Sequence, residues 1–168
     1  MTESQHQAPA DEAAPLALHR ETVRSEWIDY NGHMNVAYYV LAFDHATDAF
    51  FDHIGLDEAY RKRAQASTFA LEAHITYERE MMAGAPMRIT TQLLGHDAKR
   101  MHYMHFMYHG VEGWLSSTTE LVSLHVDMAA RRSAPMPDAI LRRLDAIAAS
   151  HGKLARPKQA GRVISLER

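Results

Sequence analysis

The apolar positions along this chain form a strand-like block, a long helical block, four more strand-like blocks and a last helical one. Leu16 to Ile28 predicts a first strand. From Val36 to about Ile54, apolar residues cover much of a helical circumference, which predicts a long buried helix ended by Gly55. Leu56 to Ala66 is a connection with room for a short helical turn. Ser67–Tyr77, Met87–Gly95, Lys99–Tyr108 and Trp114–Val126 are rich in Thr, Val, Ile, Tyr and Trp. Gly84-Ala-Pro86, Gly95-His-Asp97 and His109-Gly-Val-Glu-Gly113 separate them, so they predict four strands. Pro137 then opens an amphipathic helix with Ile140, Leu141, Leu144, Ile147 and Ala148 on one face, closed by Gly152. One strand, one buried helix and a run of strands is an α+β pattern.

The flanks differ from this middle. Residues 1–14 lack periodicity and read as a disordered lead. Residues 15–152 form one domain. Residues 153–168 are a basic tail, with Lys153, Arg156, Lys158, Arg162 and Arg168, expected to be mobile. A chain of 168 residues with 46% hydrophobic and 23% charged content suits a single domain with a real core. A formal net charge of −3 gives no global basic field, so nucleic acid is not an expected partner. No apolar run approaches the ~20 residues of a membrane span, and no secretory signal pattern opens the chain. The absence of cysteine excludes a thiolate nucleophile and Cys-based zinc sites, and fits a reducing cytoplasm. Among 12 histidines, His102, His105 and His109 lie closest together. Strand parity places His105 and His109 on one face and His102 on the other, so no metal site is expected there. Asp44, Asp48 and Asp52 make one stripe of the long helix, read as an exposed or interface face.

The segment Glu26-Trp-Ile-Asp-Tyr-Asn-Gly-His-Met-Asn-Val-Ala-Tyr-Tyr39 carries the chemistry. Asp29 stands where the first strand ends. Asn31 and Gly32 supply a turn, and Asn35 can cap the helix beginning at Val36. A carboxylate therefore sits just before a helix N-terminus, with its unpaired N–H groups and positive dipole end. A base or nucleophile beside such an anion site is what acyl transfer needs. On the bland reading, Asp29 only closes an Asx turn and Asn35 only caps.

The Asp-x-x-Gly-His-x-Asn pattern of residues 29–35, followed by Tyr39, resembles the start of hotdog-fold acyl-CoA thioesterases of the 4-hydroxybenzoyl-CoA thioesterase type. Glu72-Ala-His-Ile-Thr-Tyr77 resembles the strand after their helix. Gly95-His-Asp-Ala-Lys-Arg-Met-His102 and Glu120-Leu-Val-Ser-Leu-His-Val-Asp127 are similar to strands of the betainyl-CoA thioesterases of carnitine breakdown. The resemblance covers about residues 16–150. It implies an antiparallel sheet wrapped around one long helix, and a homodimer or dimer of dimers with sites at the subunit interface. It also implies hydrolysis of a short acyl-CoA, betainyl-CoA being favoured, with no cofactor beyond the CoA of the substrate.

Carried onto this chain, the resemblance makes Asp29 the nucleophile or general base, although Trp27 replaces the first acid of the family's Asp-x-Asp-x-x-Gly pattern. Gly32 would let the backbone approach the thioester. The N–H groups of Asn35 and Val36 would hold the oxyanion, and His33 would polarise the carbonyl or orient water. Trp27, Tyr30, Tyr38, Tyr39 and Trp114 are candidate faces for a quaternary ammonium, which cation–π contact can hold. Glu72 is a candidate substrate contact on a polar strand face. Lys99 and Arg100, beside a turn, are candidate partners for the CoA phosphates. Three other readings stand. One is a hotdog hydratase or dehydratase, whose Asp-x-Asn-x-x-His pattern needs a His five residues after the acid, where here His33 comes four after Asp29. Another is an acyl-CoA binding module without turnover, and the last a His-rich metal-binding protein.

Overall fold

The computed structural model describes residues 13–166. The elements run β1 (Leu16–Thr22), a 3-10 turn (Ser25–Trp27), α1 (Val36–Ile54), α2 (Glu58–Ala64), β2 (Ala66–Tyr77), β3 (Pro86–His96), β4 (Arg100–His109), β5 (Leu115–Asp127), the two-residue β6 (Arg132–Ser133) and α3 (Asp138–His151). The expected lead falls largely on residues 1–12, outside the described residues. The first strand is shorter than its pattern predicts. It stops at Thr22, and the 3-10 turn then buries Trp27.

All pairings are antiparallel, in the order β1-β3-β4-β5-β2, with β6 hydrogen-bonded to β5. Helix α1 lies on one face of this sheet and divides the core in two. Around its first half, Tyr39, Ala42, Phe43 and Ala46 pack with Trp27, Met34, Met81, Ile89 and Met107. Around its second half, Phe50, Phe51 and Ile54 pack with Leu93, Met101 and Tyr103, and with Ile140, Leu144 and Ile147 of α3. Each large apolar side chain among them, Met, Leu, Ile or Phe, stabilises the fold by roughly 1.5–3 kcal/mol when taken from water.

His105 sits at the border of the two clusters. Its ring stacks on Phe43 with centroids 6.2 Å apart and meets the edge of Tyr103 at 5.2 Å. Thr47 gives its hydroxyl proton to the Phe43 carbonyl, so it accepts from His105 Nε2; Thr91 then donates to Nδ1. Full burial holds the imidazole neutral and pushes its pKa down to about 3. His102 points to the opposite sheet face, where it bonds Glu120 at 2.7 Å, so no single ion reaches both rings.

Strict alternation along β2 would place Phe69 and Leu71 in the core with Ala73, Ile75 and Tyr77. A bulge between Ala70 and Glu72 inserts one residue and reverses the parity. Ala73, Ile75 and Tyr77 keep the helix side, but upstream Thr68 and Ala70 take it, and Phe69 and Leu71 are 46% and 56% exposed. The basic tail does not stand away from the domain. Gln92 Nε2 donates to the Ala155 carbonyl at 3.3 Å, and the Gly161 N–H donates to Glu120 at 2.7 Å. Gln92, Met104 and Glu120 are register neighbours on the sheet face away from α1, and Met104 is buried between these two anchors.

Candidate active site

The site is built by a turn and a cap. The Asp29 N–H donates to the His33 carbonyl, and the Gly32 N–H returns to the Asp29 carbonyl. This closes a three-residue loop, Tyr30-Asn-Gly32, whose last position takes left-handed backbone. Gly32 has φ +84°, which an L side chain adopts only with strain. Ile28 and Met34 bridge beneath the loop. The segment thus re-enters the core at Met34 and delivers Asn35 to the start of α1.

Asn35 does two things. Its Oδ1 accepts from the Ala37 N–H at 3.0 Å, capping α1. Its Nδ2 donates to Asp29 Oδ2 at 3.3 Å, while Asp29 Oδ1 accepts from the Asn31 N–H at 2.8 Å. The Asx turn of the bland reading is therefore present. It also orients the carboxylate, leaving a half-buried anion fixed beside the helix N-terminus.

The oxyanion expectation needs one correction. The Asn35 N–H is already given to the Trp27 carbonyl at 2.9 Å. The Val36 N–H, at the first helical position, has no acceptor among the described residues.

A cleft of about 530 Å³ gathers Asp29, Tyr30, His33, Asn35, Val36 and Tyr39 of the predicted set. It adds Tyr77, the last residue of β2, and Glu78, Arg79 and Glu80 directly after it, none of them among the predicted site residues. The two acids of Glu78-Arg-Glu80 directly after the strand are visible in the sequence, but their place beside α1 is not. Tyr39 and Tyr77 meet edge to face at 5.2 Å, and the Tyr39 hydroxyl accepts from the Met81 N–H at 3.1 Å. Burial raises the pKa of both phenols, with smaller pushes from Glu80 on Tyr39 and from Tyr39 on Tyr77. His33 Nε2 lies 3.4 Å from Glu80. The lining thus holds three carboxylates against one guanidinium and three phenol rings, of which Tyr39 is buried while Tyr30 and Tyr77 are exposed.

Other predicted residues lie elsewhere. Trp27 is buried and stacks on Tyr38 at 5.3 Å, under the loop and outside the cleft lining. Trp114 lies beneath Arg79, whose guanidinium is 4.2 Å from the ring centroid. Glu72 is exposed on the sheet face away from α1, paired with Val122. Lys99 and Arg100 flank the β3–β4 hairpin, where Asp97 accepts both backbone N–H groups and the Arg100 side chain. Those donors hold the Asp97 carboxyl down to about 2. Along β4, Arg100 is seven residues from Met107, the level of the cleft, which at ~3.3 Å per residue is roughly 23 Å.

The thioesterase-like superfamily is the family whose pattern residues 23–144 fit. A betainyl-CoA thioesterase from Pseudomonas aeruginosa is 42% identical over 151 residues, 90% of this chain and 95% of that protein. An L-carnitine dehydrogenase/betainyl-CoA thioesterase from Agrobacterium fabrum is 43% identical over 78% of this chain, which corresponds to 27% of that longer protein. Among solved structures, a Staphylococcus aureus protein in complex with CoA superposes with a TM-score of 0.85, 27% identity and coverage of 94% and 99% of the two chains. A putative thioesterase from Pseudomonas putida KT2440 gives 0.79 with 34% identity, covering 94% of this chain and 100% of that one. The chain belongs to the thioesterase-like superfamily and is a thioester hydrolase of hotdog fold.

Proposed function

We propose that this protein hydrolyses betainyl-CoA to betaine and CoA, with Asp29 as its catalytic carboxylate. The observation that carries the reading is the joint work of Asn35, which fixes the Asp29 carboxylate and the open end of α1 in one place. Asp29 takes a proton from water as that water attacks the thioester carbon. The Val36 N–H receives the developing oxyanion, helped by the dipole of α1. The carbon–sulfur bond then breaks, and the proton passes to the departing CoA thiolate.

The acyl group is set by charge. A trimethylammonium has no N–H to donate, so it is held by ring faces and by nearby anions. Tyr39, Tyr77, Glu78 and Glu80 supply both in the same cleft. The nucleotide end of CoA runs outward. A groove of about 710 Å³ shares Tyr77 and Glu78 with the cleft and brings in Lys158 and Arg162 of the tail. These cations, not Lys99 and Arg100 of the same chain, are the proposed partners of its phosphates. The catalytic unit is a homodimer formed along the open edge of β2, where Phe69, Leu71 and Tyr77 are exposed.

Thiol release from betainyl-CoA, compared with the neutral isostere 3,3-dimethylbutyryl-CoA, tests the assignment. Betainyl-CoA has the higher kcat/KM, by roughly tenfold for each ~1.4 kcal/mol of cation–π contact. Equal turnover of the neutral ester would refute the substrate and leave thioester hydrolysis standing.

A further inference from the structure

We propose that His19, Glu21 and His45 form a site for a divalent transition-metal ion, separate from the catalytic cleft and joining β1 to α1. His19 and Glu21 are two apart on β1 and share a face. His45 reaches them from the middle of α1. Glu21 Oε1 lies 2.9 Å from His19 Nε2 and 3.2 Å from His45 Nδ1, and the three ligand atoms all fall within 4.8 Å of one another.

These separations suit a metal. Zinc bonds of 2.0–2.2 Å in a tetrahedron put neighbouring ligand atoms roughly 3.3 Å apart. Two of the three edges are already near that value, and the third closes by small side-chain rotation. The two imidazole rings do not stack. Their centroids are 5.9 Å apart at a 59° tilt, as ligands spread around a shared centre are arranged. Two neutral imidazoles with one carboxylate are a borderline donor set, which favours Zn²⁺ and Co²⁺ over Mg²⁺ or Ca²⁺. The side chains retain 20%, 13% and 35% exposure, so water can fill the remaining position. The ion would tie the edge strand, which among the described residues pairs with β3 alone, to the helix at the centre of the fold.

The site is remote from the chemistry. His45 is nine residues along α1 from Val36, roughly 14 Å at 1.5 Å per residue. It is a brace, and catalysis does not pass through it.

The test uses untagged protein stripped with chelator and then titrated with Zn²⁺. The expected result is one ion per chain, a raised Tm and an unchanged kcat. His19→Gln with His45→Gln abolishes the uptake, whereas His102→Gln with His109→Gln retains it. An anomalous map from Zn²⁺-soaked wild-type crystals supplies a readout that needs no variant, with its peak between the three side chains. No uptake by the wild type, uptake undiminished in the His19/His45 variant, or a peak elsewhere would each overturn the proposal.

Discussion

The two ends of α1 are built to opposite specifications. At the C-terminal end Gly55 takes left-handed backbone at φ 91°, its N–H closes on the last turn, and Ile54, Leu56, Ile140, Leu144 and Ile147 pack around it. The hydrogen bonds are closed, with Arg143 donating to the His53 carbonyl at 2.8 Å, and the packed side is apolar. At the N-terminal end one side chain caps, one N–H stays open, and the neighbours are three carboxylates, three phenols and exposed Val36. One end supplies stability, and the other spends some of it to hold groups where a substrate can meet them. A helix of this kind acts as a beam with a finished end and a working end.

That contrast can be broken from either side. Asp29→Asn keeps shape and removes the proposed base, so kcat is expected to fall by about 10²–10⁴-fold while Tm moves little. Leu144→Ala does the reverse. It loses about 2–5 kcal/mol in denaturant titration, with kcat per folded molecule unchanged. If the two variants failed in the same assay, the division between the ends would be wrong.

Asn35 sharpens the comparison because it serves both purposes. Asn35→Ala loses the cap, about 1 kcal/mol, and frees Asp29, lowering kcat about ten- to hundredfold. Asn35→Ser keeps a capping oxygen but cannot reach Asp29. Its Tm therefore stays near wild type while its kcat falls with that of the alanine variant. Parallel recovery of both quantities would show that Asn35 only caps.

His105, at the border of the two clusters, predicts a pH dependence of stability. Its folded pKa is depressed to about 3 from the ordinary 6.5. Below pH 6.5 the unfolded chain takes up a proton that the native state refuses. Stability from this group is therefore complete above 6.5 and falls as pH drops towards 3, by at most about 1.4 kcal/mol per unit. Urea midpoints across that window give the slope, and His105→Gln flattens it whatever its effect on stability at neutral pH. The smallest effect is expected at the tail. Lys158→Gln with Arg162→Gln raises KM for betainyl-CoA about fivefold, near the ~1 kcal/mol of an exposed ionic contact. The same change leaves KM for the pantetheine thioester, which lacks the nucleotide, as it was.

Much of this was legible in the chain because local rules dominated locally. Apolar spacing located α1 with its Asn35 cap and Gly55 stop, and turn chemistry at Asn31-Gly32 located Asp29. Four things were hidden. The bulge at Leu71 adds a residue without altering composition, so alternation alone misassigned Phe69. Trp27 is drawn into the core by a 3-10 turn whose sequence, Ser-Glu-Trp, still reads as strand. The use of the Asn35 N–H by Trp27 is a contact across the loop, and spacing carries no information about it. The Glu78-Arg79-Glu80 wall reaches the cleft only because β2 ends beside α1, which is a property of the sheet order.

The course of the tail has a practical side. Ser165 lines the groove that continues from the cleft, so this stretch of the tail runs beside the proposed entrance and not along the packed end. A label attached at Ser165 would stand within a few residues of the proposed phosphate partners. It would change apparent affinity without touching the domain beneath. Immobilisation through that residue would obstruct the proposed entrance in the same way.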